Sequence, residues 1–62
     1  MQIVATFKNA SVSEDYVSWA RGENYKASKS NNIVRVSASE RVSVSIAVGK
    51  AQEMGGEVSM RD

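Results

Sequence analysis

The stretch that most limits what this chain can fold into runs from Asn32 to Met60, where strand-like and helix-like signals alternate between firm stops. Ile33 to Val36 is β-branched and favours a pleated surface. Ser37-Ala38-Ser39-Glu40 has the spacing of a capping box, in which the serine hydroxyl accepts from the amide three residues on and the glutamate reaches back. Gly55-Gly56 ends what precedes it, since glycine enters the left-handed region that closes a helix without steric cost. Glu57 to Met60 then resumes an alternating pattern. The order read is strand, helix, glycine stop, strand.

Arg41 to Val48 decides the fold class. Val42, Val44, Ile46 and Val48 alternate with Arg41, Ser43, Ser45 and Ala47, the template of a half-buried strand, and valine and serine are mediocre helix formers. The same segment also sets Val44, Ala47, Val48, Ala51 and Met54 on one side of a helix about 120° wide, with Arg41, Ser45 and Gln52 facing away. A strand ending at Val48 would leave Gly49 to Glu53 as a loop of helical composition. The helix, from Ser39 or Glu40 to Met54, is therefore preferred.

Upstream, Gln2 to Lys8 alternates Ile3, Ala5 and Phe7 against Val4 and Thr6, a strand apolar enough on both faces to sit centrally. Ser11-Val12-Ser13-Glu14 is a second capping-box spacing, with Glu14 and Asp15 in the first turn where the helix dipole favours them. Val12, Tyr16, Trp19 and Ala20 form a stripe, and Gly22 is placed to stop the helix. This predicts a helix from Val12 to Arg21; the competing reading is a strand through Tyr16 to Trp19. Arg21 to Asn32 is polar and aperiodic, a loop or a hairpin arm.

These elements predict a single α+β domain over residues 1–62, a three-stranded sheet with two helices in the order β-α-β-α-β. The alternative is a mostly β meander with one short helix. At 62 residues folding buries only about 60% of the unfolded chain's surface. With no cysteine to staple so thin a core, a homodimer or an obligate partner is expected. No basic-then-apolar leader precedes the first strand, and no apolar run approaches the roughly 20 residues that span a bilayer. The expectation is a soluble, cytoplasmic protein without a membrane partner.

The chain has no histidine and no cysteine, so the usual acid/base at neutral pH, the usual thiol nucleophile and the common zinc ligands are missing. Neither Gly55-Gly56, which closes a helix, nor Gly49-Lys50-Ala51, which lacks the Ser or Thr of a phosphate loop, suggests a nucleotide site. The expectation is a protein that is not an enzyme and needs no metal or cofactor. Instead, Tyr16, Trp19 and Arg21 are residue types enriched where proteins meet. They point to a protein-binding module, a regulator or inhibitor acting by steric occlusion. The unpaired edges of a small open sheet are further docking elements. The alternative is a nucleic-acid-binding accessory protein. Between residues 21 and 39 the cations Arg21, Lys26, Lys29 and Arg35 stand against the single carboxylate Glu23, with Tyr25 among them to stack on a base.

Overall fold

The computed structural model describes residues 1–61. Its elements are β1 (Gln2–Thr6), α1 (Ala10–Gly22), β2 (Lys26–Ser30), β3 (Ile33–Ser37), α2 (Arg41–Glu53) and β4 (Glu57–Arg61). The strands form one sheet in the order β2-β3-β1-β4, with every neighbouring pair antiparallel. Because β1 opposes both β3 and β4, those two run parallel with β1 between them, and α2 makes the crossover. In the same way α1 links β1 to β2 across β3. This is the ferredoxin-like, or split β-α-β, connectivity, which hosts many unrelated functions and names none.

The class is α+β, and the meander is excluded because Arg41 to Glu53 coils. The sheet has four strands, not the expected three. The additional strand, Lys26-Ala27-Ser28-Lys29-Ser30, lies within the polar stretch that reads as loop or hairpin arm. It lacks an apolar alternation because it is an edge strand, with Ala27 its one apolar side chain packed against the core. Ser30 pairs with Ile33, so Asn31-Asn32 is a two-residue hairpin loop. Asn31 takes φ 57, a conformation asparagine tolerates better than most residues.

The helix ends correct the predicted caps. Helix α1 starts two residues before Val12, because Asn9 is the cap: it is extended, and its side-chain oxygen accepts from the Val12 amide at 3.0 Å. Ser13, buried, donates its hydroxyl to the Asn9 carbonyl at 3.1 Å, and Glu14 and Asp15 fall outside the first turn. Gly22 is helical, and the left-handed residue after the helix is Asn24 at φ 67. The second capping box does not form either. Ser37 belongs to β3, and Glu40 caps α2 without a side-chain bond. The stop at Gly55 is as expected, at φ 80.

Both helices pack on one face of the sheet. The core comprises Ile3, Ala5, Phe7, Val34 and Val36 from the sheet side, Tyr16, Val17 and Ala20 from α1, and Ala47 and Ala51 from α2. Val44, Val48 and Met54 pack against it, so the expected α2 stripe is the inward one, and Arg41, Ser45 and Gln52 are exposed. Val42 and Ile46, the other half of the strand-like alternation, are 68% and 49% exposed.

Gly56 is where the returning chain passes closest to the core. A Cβ there would stand 2.6 and 2.9 Å from two ring carbons of Phe7 and 3.1 Å from the Ala51 carbonyl oxygen. Gly56→Ala is expected to destabilise by about 1–3 kcal/mol through overpacking. Gly55→Ala, which meets no atom but strains a positive φ, should cost about 1–2 kcal/mol. Urea unfolding midpoints check both.

Candidate functional site

The residues singled out from the sequence do not share one surface. Tyr16 is fully buried. Its ring lies 5.1 Å from Phe7 and 5.7 Å from Trp19, centroid to centroid, and its hydroxyl donates to the Ala47 carbonyl at 2.8 Å. It is a core residue and leaves the expected Tyr16, Trp19, Arg21 docking face. Trp19 is half-buried between Tyr16 and Tyr25, with Lys50 Nζ 5.9 Å from its ring centroid. Arg21 is exposed and donates to the Ala27 carbonyl at 3.3 Å, which ties the end of α1 to β2.

The cationic set divides between two faces. Strand alternation sends Lys29 to the helix side, where it meets Glu14 at 3.6 Å, and Arg21 lies on α1 itself. Tyr25 is half-buried and donates its hydroxyl to the Ser43 carbonyl at 2.8 Å, so its ring braces α2 and is not free to stack on a base. Lys26 and Arg35 are exposed on the opposite, helix-free face, where they line a shallow depression with Gln2, Ser28 and Ser37. The registers add Arg61: Lys26 pairs with Ser37, Ser37 with Gln2, and Gln2 with Arg61. The open face thus carries Lys26, Arg35 and Arg61, spread from one edge of the sheet to the other, with Glu57 the carboxylate among its strand positions. Arg61 escapes sequence reasoning because it lies 26 positions beyond Arg35 and only the sheet order sets both on one face.

A second feature is the outer edge of β4. Within the β1–β3 ladder, Phe7 N–H donates to the Asn32 carbonyl at 2.9 Å and Ala38 N–H to that of Met1 at 3.1 Å. Odd-numbered β1 residues therefore bond toward β3, and by antiparallel alternation Gln2, Thr6 and Val4 bond toward Arg61, Glu57 and Ser59 of β4. Val58 and Met60 consequently turn their N–H and C=O groups away from the sheet. Their side chains lie on the helix side, opposite Ala5 and Ile3. Val58 is half-buried and Met60 is 54% exposed. Along α2, Ser43 and Ala47 accept the tyrosine bonds from the α1 side, which places Val44 and Val48 on the flank toward β4. The opposite sheet edge, β2, carries Lys26 and Lys29, the kind of charge that discourages further strand pairing.

Where α1 ends and α2 begins, an open cleft of roughly 670 Å³ is lined by Met1, Tyr25, Ala38, Ser43 and Ile46 together with charged and polar side chains. Among the described residues no group of His, Cys, Asp and Glu is placed to hold a metal ion, and no helix is long and apolar enough to cross a membrane. Comparison with protein-family models, with curated proteins and with solved structures finds no match to this chain.

The buried phenol of Tyr16 has its pKa raised from 10.0 to about 12, first by desolvation and second by the nearby Tyr25. The fold thus holds the Tyr16 proton more tightly than the unfolded chain does. This contribution is intact below pH 10.0 and is lost as pH rises toward about 12. Tyr16→Phe is expected to cost about 1 kcal/mol at neutral pH for the lost hydrogen bond. It should also remove the part of the alkaline fall in stability that Tyr16 contributes, which denaturant melts of both proteins across that pH range would reveal.

Proposed function

We propose that this chain is a non-enzymatic, cytoplasmic protein-binding module whose docking element is the free edge of β4. The observation that supports this is the contrast between the two sheet edges. Each edge strand carries two charged residues, Lys26 and Lys29 on β2 and Glu57 and Arg61 on β4, but β4 sets its outward backbone at Val58 and Met60 beside an apolar flank formed by Met60, Val44 and Val48. An extended segment laid along β4 would gain main-chain hydrogen bonds from the edge and side-chain pockets from the flank. Met60→Pro tests the reading. Proline at 60 deletes an outward amide and leaves the ladder to β1 intact, so the fold should survive. The folded variant is expected to lose the partners that the wild-type chain captures from its native host; a folded variant that retains all of them contradicts the proposal.

The presence of Lys26, Arg35 and Arg61 on the open face supports a second reading, an accessory nucleic-acid contact through phosphates. With three cations engaged, the log-log dependence of affinity on salt should have a slope of about −2 to −3. Because phosphate contacts carry no sequence information, the contact would be indifferent to sequence. Oligonucleotide binding that is salt-steep and lost in Lys26→Glu with Arg35→Glu is the expected result. Absence of binding at low salt would remove this reading.

A further inference from the structure

We infer that the occupant of the β4 edge is a second copy of this chain, joined antiparallel about a two-fold axis at Ser59 to make one continuous sheet across the dimer. The inference rests on the reading of β4 as a docking edge and adds the identity of its partner. The sequence of β4, Glu57-Val58-Ser59-Met60-Arg61, is self-complementary when reversed on itself. With Ser59 opposite Ser59, Val58 falls opposite the second copy's Met60. These are the residues whose backbone groups point outward, so each such pair can exchange both of its N–H···O=C bonds. Glu57 and Arg61, exposed on the open face, then fall opposite each other at both ends of the strand. They occupy the narrow, non-hydrogen-bonded positions where side chains approach closest.

The register is specified. A slip of one residue would set outward-pointing backbone groups against inward-pointing ones. A slip of two takes Glu57 away from Arg61 and leaves both charges without that partner. On the helix side, the same pairing brings Met60 and Val58 of each copy together at the boundary of the two sheets, next to Val44 and Val48. This covers part of the 54% of Met60 that one chain leaves in water. Two-fold pairing of one patch with itself is the commonest arrangement among homo-oligomers. A five-residue edge is short beside the roughly 20–30 residues a side of a standard interface, so the dimer should be weak, with a dissociation constant of about micromolar or above.

Sedimentation equilibrium of the wild-type chain across that concentration range, with charge variants, tests the inference. Glu57→Arg and Arg61→Glu should each weaken the dimer on the order of tenfold by setting like charges opposite one another. The double variant should restore it, because the pair is then reversed on both chains. Both positions are exposed, so the folds should be unaffected, which circular dichroism would verify. Ser59→Cys should link two chains by a disulfide under mild oxidation, since opposed Cα atoms of such a pair stand about 4.5 Å apart. A wild-type chain that remains monomeric at high concentration, yet captures another protein through a Met60→Pro-sensitive contact, overturns the second copy and leaves the docking edge standing. A dimer indifferent to Met60→Pro and to both charge reversals overturns the two together.

Discussion

The position of α2 depends on the hydroxyl of Tyr16, which donates to the Ala47 carbonyl in the middle of that helix. Helix α2 is built largely from valine, serine and small residues, and its fully buried residues are Ala47 and Ala51. Such side chains permit a close approach to the sheet but supply little apolar area, and a helix held only by two alanines could rotate or slide. The tyrosine prevents this by spending a buried hydrogen bond at one chosen carbonyl. Tyr25 repeats the device one turn earlier, at Ser43. The rings behind these hydroxyls form a continuous series, Phe7 to Tyr16 to Trp19 to Tyr25. This aromatic series therefore runs along the side of α1 that faces α2, and its two hydroxyls fix α2 in rotation and register.

The consequences reach the surface. With Ser43 and Ala47 turned toward α1, Val44 and Val48 must face the far flank, over β4. The tyrosines that a sequence reading assigns to a binding face are thus consumed in orienting α2, and the apolar surface they would have offered is displaced to the opposite side of the molecule. The cations are redistributed by the same logic of alternation. Lys29 is drawn toward Glu14 on the helix side, and Lys26 and Arg35 are sent to the bare face of the sheet.

Much of this was legible in the residues, for identifiable reasons. The glycine stop at Gly55, the inward stripe of α2 and the central β1 strand all follow from local conformational preference and periodicity, which act over a few residues. The caps were not legible, because Ser11 and Ser37 have the right spacing yet Asn9 and the β3 ladder compete successfully for the same backbone. Strand β2 was illegible for a different reason. An edge strand with one packed side chain, Ala27, carries no alternation, and its existence depends on β3 being there to pair with. The surfaces were least legible of all. Arg61 shares the open face with Arg35, and Met60 shares the helix side with Val44, through sheet order and helix rotation, neither of which is encoded by neighbouring residues.

In a single chain the outward backbone groups of Val58 and Met60 face water, and in the proposed dimer they bond to those of a second copy. Residue-resolved amide hydrogen exchange at Val58 and Met60, followed as the protein is diluted, measures this directly. Both amides should exchange slowly at high concentration and fast at low concentration, while Ser59, bonded to β1, stays protected throughout. Val58 and Met60 amides that exchange at the same rate at every concentration would contradict it.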